Sequence, residues 1–324
     1  MSCHPTPNIE RLRDRAAMLR NTRRFFDERG FFEVQPPCLS RDCIVDPYIN
    51  PLTVSSRQLA LAEPNLPEHF YLQTSPELAM KRMLVAGAPS IYSIGPVFRA
   101  GERGDQHNVE FTMLEWYEVQ ADLEAGIKTT GQLACHLLHT PRFEVTTYRE
   151  AFSQTLGFDP ITHPIASLYD ETRKIDAPLA DRIAEDRDAM LDLLFSYRIQ
   201  PGLGDEVPVI VRNYPLSQAA LARTAEDDEA CAARFEMFMR GVELANGYDE
   251  LLDPEILIER TKTNNQRRVA SGEQPLPVDS SLVQAMSLGL PPSTGVALGF
   301  DRLVMLSTEA NSIEQVIPFP IEIA

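Results

Sequence analysis

Residues 295–306, GVALGFDRLVML, place two charged residues at the junction between an apolar strand and an apolar helix. Asp301 fits a helix cap, because its carboxylate can accept hydrogen bonds from unpaired N–H groups of the first turn. Arg302 does not fit, since the positive end of the helix dipole disfavours a cation. A bound anion would resolve the conflict, because helix N-termini and guanidinium groups both bind phosphate. The segment therefore predicts an anion site, with a surface arginine paired to a carboxylate as the alternative.

Two further segments place charges in otherwise apolar strands, where an unused charge costs free energy. Arg99 ends the strand SIYSIGPVF, and Glu110 and Glu115 lie on the returning strand HNVEFTMLEWYEVQ. Glu243 and Glu250 bracket LANGYD in a third strand. Arginines among carboxylates indicate a site for a phosphate anion, a divalent cation and an amine. For any one segment, a structural ion-pair network is the alternative.

Composition places the chain among globular proteins without a membrane segment. Of its 324 residues, 44% are hydrophobic and 24% are charged, and no apolar run approaches the roughly 20 residues that cross a bilayer. The N-terminus lacks the apolar stretch of a secretory signal. Five cysteines in a chain of this size suggest a reducing compartment, so we expect a cytoplasmic protein.

The formal net charge of −17 argues against extensive contact with RNA, because phosphate contacts dominate the affinity of nucleic-acid binders. The arginine-rich segment 11–29 is predicted to be an amphipathic helix with a charged outer face. Its apolar stripe would comprise Leu12, Ala16, Leu19 and Phe26.

The order of the predicted elements favours an α+β fold. Strands follow one another with antiparallel-looking connections and helices occur in runs, unlike a doubly wound α/β sheet. No internal repeat or low-complexity linker divides the chain. We expect one domain over residues 1–324, with a mainly helical insertion at about 141–205, where glycines and prolines separate short helical stretches.

The charged segments resemble the signature motifs of class II aminoacyl-tRNA synthetases, and those of lysyl-tRNA synthetase in particular. GFFEVQPP, ending at Pro37, resembles motif 1, VFRAGERGDQHNVEFTMLEWYE resembles motif 2, and GVALGFDRLVML resembles motif 3. SPELAMKR and ELANGYDEL match the lysine-enzyme patterns between them. The resemblance implies an antiparallel β-sheet flanked by helices, and motif 1 implies a homodimer.

A core that begins within about ten residues of Met1, with no anticodon-binding domain, is similar to the elongation factor P–(R)-β-lysine ligase family. That resemblance implies activation of (R)-β-lysine with ATP and its transfer to a lysine side chain of elongation factor P, with little or no tRNA binding. Ala297 agrees, because the synthetases have glycine there and the ligases have alanine. Its methyl group would crowd an α-amino group and suit a β-amino acid; a small core residue is the other interpretation.

The resemblance also assigns roles to individual residues. Arg99 would bind the α-phosphate of ATP, and Arg302 would lie near the γ-phosphate and enclose adenine together with Phe111. Glu243 and Glu250 would hold Mg²⁺. The complete set of predicted ATP-binding residues is Arg99, Ala100, Gly101, Glu102, His107, Asn108, Phe111, Glu243, Leu244, Gly299 and Arg302. The predicted substrate-binding residues are Ser75, Pro76, Glu77, Glu115, Tyr117, Asn246, Glu250 and Ala297.

Two positions depart from the family pattern. The usual Arg-x-Glu of motif 2 is Arg99 followed by AGE, so that either Glu102 or the loop backbone would meet the amino group of adenine. Val109 replaces the proline of HNPEF. Two other functions stay open: a truncated synthetase-like enzyme that activates an amino acid for another acceptor, and an inactive regulatory paralogue. The second is opposed by the retention of the phosphate-binding and metal-binding residues, namely Arg99, Glu243, Glu250 and Arg302.

Overall fold

The computed structural model describes residues 4–60 and 66–324. Contacts between Cα atoms divide the chain into two compact units. The first unit comprises Met1–Asp122 and Glu250–Ala324, and the second comprises Leu123–Asp249. Each unit contributes its own strands and helices.

Strands and helices both occur in runs along the chain. The α-helices, in chain order, are α1 (Ile9–Asp27), α2 (Glu77–Val85), α3 (Leu123–Leu138), α4 (Tyr148–Leu156), α5 (Ile165–Arg173), α6 (Ala177–Arg182), α7 (Arg187–Leu194), α8 (Pro254–Ala270), α9 (Ser281–Met286) and α10 (Phe300–Ser307). The β-strands are β1 (Phe32–Glu33), β2 (Leu39–Ser40), β3 (Thr53–Ser55), β4 (His69–Leu72), β5 (Ile91–Phe98), β6 (Glu110–Val119), β7 (Glu144–Thr147), β8 (Val209–Pro215), β9 (Cys231–Met239), β10 (Val242–Asp249) and β11 (Ser293–Gly299).

In the first unit, β1, β5, β6 and β11 lie side by side in that order. β5 and β6 are antiparallel, with Phe98 opposite Glu110, and the glycine-rich segment 99–109 connects them. β11 runs antiparallel to β6 and places Ala297 opposite Glu115. β1 pairs in parallel with β5. A smaller antiparallel sheet contains β2, β4 and β3 in that order.

Aromatic side chains attach α1 to this sheet. The ring of Phe26 is fully buried, stacks on Tyr92 at 4.7 Å between centroids and lies 5.3 Å from Trp116. The register of α1 differs from the predicted stripe, because the buried positions are Met18, Thr22, Phe25 and Phe26. A hydroxyl fits in this stripe because Thr22 Oγ1 donates to the carbonyl oxygen of Met18, so no polar group is left unsatisfied.

Two of the residues predicted for that stripe lie elsewhere. Ala16 is exposed, and Leu12 is only half-buried. Helical periodicity therefore identified the helix, but it did not identify which of two neighbouring faces packs against the sheet.

In the second unit, β10, β9, β8 and β7 lie side by side in that order. β8–β9 and β9–β10 are antiparallel, with a register shift between Glu243 and Ala245, whereas β7 and β8 are parallel. The predicted helical segment 141–205 contains α4–α7 and also β7. Its core includes the stacked rings of Tyr148 and Phe195, with centroids 5.3 Å apart.

The predicted α+β class is confirmed, since antiparallel pairs dominate and helices accompany the strands. Parallel pairing at β1–β5 and β7–β8 makes the strand arrangement mixed, a detail that the sequence did not predict. Across the described residues, we find no helix that combines the length and apolar character needed to cross a membrane. The single-domain organisation stays a prediction.

Candidate active site

Three carboxylates and one ammonium group meet in the interior of the first unit. Glu77 and Lys81 lie one helical turn apart on α2, Glu115 is on β6, and Glu250 begins the second stretch of this unit. All four residues are buried. Burying this many charges is costly unless they are paired or a ligand neutralises them, so the cluster indicates a binding pocket.

Lys81 is the internal cation of this pocket. Its Nζ lies 2.6 Å from Glu250 Oε2 and also contacts Glu77 Oε1. Burial alone would lower the pKa of Lys81, but attraction by the Glu250 and Glu77 carboxylates outweighs burial and raises it. Lys81 therefore remains charged, and burial raises the pKa of Glu250 even though Lys81 opposes that shift.

Glu115 receives two hydroxyl hydrogen bonds. Ser75 Oγ donates to its Oε2 at 2.5 Å, and the Tyr117 hydroxyl donates to its Oε1 at 2.8 Å. Burial, with the nearby Glu77 charge, raises the pKa of Glu115 to about 7 in spite of these donors. Burial likewise raises the pKa of Tyr117 well above its ordinary value, so the phenol stays neutral and acts as a donor.

A glycine on β11 allows the pocket to form. A Cβ added to Gly295 would lie 2.0 Å from Glu250 Oε1 and 2.4 Å from Cε1 of Tyr117. The absence of a side chain at Gly295 therefore leaves room for the Glu250 carboxylate and the Tyr117 ring. Ala297, two residues on, is half-buried and faces Glu115 across the β6–β11 ladder.

Arg99 stands where β5 ends and the 99–109 loop begins. Its Nε donates to the carbonyl oxygen of Thr74 at 3.3 Å, and its Nη1 lies 3.4 Å from Glu102 Oε1. The guanidinium carbon is 5.1 Å from the centroid of the Phe111 ring, within cation–π range. Arg99 and Phe111, two predicted ATP-binding residues, are thus in contact, and Glu102 is an ion partner of Arg99.

Arg302 contacts the same loop from α10. Its Nε donates to the carbonyl oxygen of Gln106 at 3.2 Å, and its Nη2 lies 2.7 Å from His107 Nε2. Burial, together with the Arg302 charge, lowers the pKa of His107, so the neutral imidazole accepts this hydrogen bond. Arg99 and Arg302, distant in sequence, therefore both hold the loop that the sequence predicts to contact ATP.

Asn108 and Ala100 support the loop through backbone contacts. The Asn108 amide donates to the carbonyl oxygen of Glu110 at 2.6 Å and accepts from the N–H of Ile321 at 3.2 Å. The Ala100 N–H donates to the carbonyl oxygen of Asn50 at 2.8 Å. Their predicted contacts with ATP remain predictions, as do those of Gly101 and Gly299.

A polar cavity of about 500 Å³ adjoins this loop. Its lining includes His107, which Arg302 contacts, and charged residues from the loop and the C-terminal segment. The lining residues are Arg103, Gly104, Asp105, His107, Asn108, Ser312, Glu314 and Glu322. His107, which contacts Arg302, therefore borders a space that suits polar ligands.

Asp301 is not the cap of α10. The helix begins at Phe300 after Gly299, and no side chain caps it. Asp301 is instead buried, accepts from the Thr112 N–H at 2.7 Å and pairs with the Arg15 guanidinium of α1. It ties β6, α1 and α10 together, so the cap interpretation was wrong because a tertiary partner competed with the helix terminus.

The second unit contains the predicted site residues Glu243, Leu244 and Asn246, all on β10. Asn246 lies opposite Glu236 on β9, and Glu243 lies opposite Phe238. Glu236 and Phe238 are two residues apart on β9 and therefore share a face. Their cross-strand partners lie on that same face, and the register shift after Glu243 makes this possible. Glu236, Glu243 and Asn246 thus share one face of the β9–β10 ladder.

The chemistry of these carboxylates suits a hard cation. Within residues 4–60 and 66–324, no set of three or more His, Cys, Asp or Glu side chains is arranged to share a metal ion. Mg²⁺ in nucleotide sites commonly takes only one or two protein carboxylates and completes its shell with phosphate and water oxygens. Glu243 fits that pattern, and Glu236 is the carboxylate that shares its face. Glu250 lies in the other unit and is occupied by Lys81, so its pairing with Glu243 around a metal stays a prediction.

Sequence reasoning did not select Lys81, Glu236 or Arg234, which donates to Asn246 at 3.3 Å. The spacing of Glu77 and Lys81 on a helix signalled an ion pair. Arg234 and Glu236 lie two residues apart in the apolar strand AARFEMFM. Two charges in such a strand were the signal that could have identified them.

A comparison with protein families agrees with this geometry. The family model described as tRNA synthetases class II (D, K and N) matches residues 5–323. The match includes β5, β6 and β11, the 99–109 loop and the buried acidic pocket. Membership implies activation of an amino acid with ATP. The chain belongs to the class II tRNA synthetase family of the D, K and N type.

Proposed function

We propose that this enzyme activates (R)-β-lysine with ATP and transfers the β-lysyl group to a lysine side chain of elongation factor P. In the first step a substrate carboxylate oxygen attacks the α-phosphorus, which forms the aminoacyl adenylate and releases pyrophosphate. In the second step the acceptor amine attacks the acyl carbon, which forms an amide and releases AMP and a proton.

The charge of the buried pocket carries the proposal. Glu77, Glu115 and Glu250 contribute three negative charges when ionised, and Lys81 contributes one positive charge. The resulting excess of two negative charges suits a substrate with two ammonium groups, because each buried carboxylate then has a cationic partner. A diamino acid such as lysine or β-lysine supplies that pair of charges, whereas a neutral side chain does not.

Ala297 supports the choice of the β-amino acid. It faces Glu115 directly across the ladder, at the edge of the acidic pocket. A methyl group at this position reduces the space beside Glu115, compared with the glycine of the synthetase pattern. An amino group displaced by one carbon would avoid it, as the resemblance to the ligases implies.

The first unit also provides the groups that this chemistry needs on the nucleotide side. A carboxylate nucleophile is ionised at neutral pH, so the reaction depends on positioning and on neutralisation of the phosphate charge. Arg99 and Arg302 supply positive charge around the 99–109 loop, and the Phe111 ring beside Arg99 offers a stacking surface for adenine. Tyr117 and Ser75 of this unit would orient the substrate, and the same role is proposed for Asn246 on β10.

Glu243 is the proposed magnesium ligand, and Glu250, which pairs with Lys81, is assigned to the substrate ammonium group. Mg²⁺ would supply charge neutralisation for the triphosphate and the departing pyrophosphate. A homodimer remains part of the proposal. The exposed side chain of Phe32 on the motif 1 strand β1 supports it, because an exposed aromatic on a short strand suits an interface.

The acceptor is proposed from the resemblance to the ligases and from the net charge of −17, which opposes extensive tRNA contact. A truncated synthetase-like enzyme with another acceptor is the alternative, because the acidic pocket suits α-lysine as well. An inactive paralogue is disfavoured, since Arg99, Arg302 and the buried acidic pocket are all present. Arg302 contacts the motif 2 loop, and the charged groups of the pocket contact one another.

ATP–pyrophosphate exchange tests the activation step. We expect exchange with (R)-β-lysine, weaker exchange with α-lysine, and none without an amino acid. Incubation with elongation factor P, followed by mass spectrometry of the intact protein, then tests transfer. Exchange with α-lysine alone would favour the synthetase-like alternative, and no exchange with either amino acid would contradict the assignment.

A further inference from the structure

Arg234 on β9 is held on three sides within the second unit. Its Nε donates to Asn246 Oδ1 at 3.3 Å, its Nη1 donates to the carbonyl oxygen of Gln218 at 2.8 Å, and its Nη2 pairs with Glu236 Oε1. The guanidinium carbon also lies 4.7 Å from the centroid of the Tyr214 ring. A planar guanidinium with partners in three directions has little freedom to reorient.

The partners of Arg234 are themselves fixed. The Tyr214 hydroxyl donates to Glu236 Oε2 at 2.7 Å, so both oxygens of this carboxylate are engaged. Only 17% of the Arg234 side chain and 12% of the Glu236 side chain are exposed. Ion pairs with so little contact with water are rigid and costly to disturb.

The contact with Arg234 determines the orientation of the Asn246 amide. A guanidinium has no acceptor, so the amide must turn its oxygen towards Arg234 and its NH₂ group away from it. Asn246 is half-buried and shares its face of the β9–β10 ladder with Glu243. Two N–H donors are therefore presented on the face that carries the predicted site residues.

We infer that Arg234 is a positioning residue that makes Asn246 a donor towards the carboxylate of the amino-acid substrate. The inference rests on the proposed function, in which Asn246 binds the substrate. An amide that was free to rotate would present its oxygen to the carboxylate for part of the time, and two oxygens with lone pairs repel each other. Arg234 removes that orientation without contacting the substrate.

The direct test compares Arg234→Lys with Arg212→Lys in the exchange assay with (R)-β-lysine and α-lysine. Lysine keeps the positive charge but lacks the planar guanidinium that reaches three partners at once. We expect Arg234→Lys to raise the KM for the amino acid about tenfold or more, the effect of losing a hydrogen bond to a charged group, with the KM for ATP within about twofold. Arg212 is a matched control because its side chain is 18% exposed and also pairs with acids of this unit, Glu124 and Asp227. Its KM values should not change.

A double variant separates positioning from general structural support. If Arg234 acts through Asn246, adding Arg234→Lys to Asn246→Ala should leave the KM for the amino acid as it is in Asn246→Ala alone. If the two substitutions instead raised the KM for the amino acid independently, so that their factors multiplied in the double variant, the inference would be overturned. A rise in the KM for ATP alone would also overturn it, because the oriented donors would then serve a phosphate.

Asn246→Asp keeps an acceptor for Arg234 and replaces the outward NH₂ group by an oxygen that shares a negative charge, so it serves if the Arg234 variants do not fold. We expect a normal melting temperature and a KM for the amino acid raised by at least the same factor as in Asn246→Ala, because an oxygen replaces the NH₂ group. An unchanged KM in a folded Asn246→Asp protein would overturn the inference. Wild-type exchange is measured in parallel, so a failure here is distinguishable from a failure of the proposed function.

Discussion

Lys81 Nζ lies 2.6 Å from Glu250 Oε2, and the two side chains are only 3% and 1% exposed. The ammonium group also contacts Glu77, so a single internal cation serves two carboxylates. The Lys81 ammonium group reduces the electrostatic repulsion between the buried carboxylates when no substrate is bound. When all three carboxylates are ionised, the pocket keeps an excess of negative charge, which is the basis for proposing a cationic substrate.

Replacing Lys81 by methionine should destabilise the protein by about 3–5 kcal/mol, because a buried carboxylate loses its partner. Urea unfolding of the two proteins measures the difference in the free energy of unfolding. Lys81→Met combined with Glu250→Gln should recover part of the loss, since the unpaired charge is then removed as well. Equal stability of Lys81→Met and the wild type would contradict the pairing as an energetic unit.

Glu115 should make substrate binding depend on pH. Its pKa is raised to about 7 by burial, so it is largely protonated in the empty pocket at pH 6, yet it must be ionised to accept a second ammonium group. The KM for the amino acid should therefore fall as the pH rises from about 6 to 8, by up to about tenfold per pH unit below the pKa. Glu115→Gln should bind weakly, with little pH dependence; an equally steep profile in that variant would assign the titration to another group.

The raised pKa of Glu115 also affects the stability of the substrate-free protein. A rise in pH favours substrate binding but lowers this stability. A carboxyl whose pKa is raised from 4.5 to about 7 favours folding only when protonated, so its ionisation costs stability as the pH rises through this range. Glu115→Gln should thus be more stable than the wild type at pH 8, by at most about 3 kcal/mol, and similar to it near pH 4. Thermal unfolding at the two pH values checks the sign.

Sequence patterns predicted the elements of the site better than its contacts. The strands β5, β6 and β11 and the helix α10 follow from alternation, glycines and apolar runs that are local in the chain. Glu115 and Arg99 were selected because charges in apolar strands need a reason, and the resemblance to the lysine-enzyme pattern added Glu77. The motif resemblance then assigned them to one site.

The partners of these residues could not be predicted, because pairing depends on tertiary packing. Asp301 looked like a cap, but Arg15 and the Thr112 N–H reach it from other elements. Lys81 was not selected from the sequence, and only the fold brings Glu250 to it. The face of α1 was misassigned for the same reason, since two overlapping stripes have similar apolar character.

Gly295→Ala should lower stability or disrupt the pocket. The new methyl group would stand 2.0 Å from Glu250 Oε1 and 2.4 Å from Tyr117 Cε1, so the buried Glu250 carboxylate or the Tyr117 ring must move. We expect a loss of about 1–3 kcal/mol, the usual cost of overpacking, measured by urea unfolding. Gly95→Ala on β5 is the matched control, because a Cβ there meets no atom within 4 Å. Similar stability losses in both variants would contradict the specific role of Gly295.

Ala297→Gly should improve the use of α-lysine relative to (R)-β-lysine. Removing the methyl group opens space opposite Glu115, where the α-amino group would otherwise be crowded. The ratio of kcat/KM for the two amino acids in the exchange assay measures the change; we expect it to shift by about tenfold or more, the usual effect of one small apolar group in a pocket. An unchanged ratio would mean that Ala297 only packs against its neighbours.

Arg302→Ala should abolish ATP–pyrophosphate exchange while leaving the fold intact. The guanidinium is held against the 99–109 loop by the Gln106 carbonyl oxygen and by neutral His107. Removing it takes positive charge from the place where the triphosphate is proposed to bind, and loss of one such group typically costs about a hundredfold or more in rate. Arg142→Ala, which removes an exposed arginine paired with Glu144, is the control and should exchange normally. Circular dichroism and the melting temperature establish that both variants are folded; exchange at the wild-type rate by folded Arg302→Ala would remove the phosphate role and, with it, the anion site predicted from the strand–helix junction.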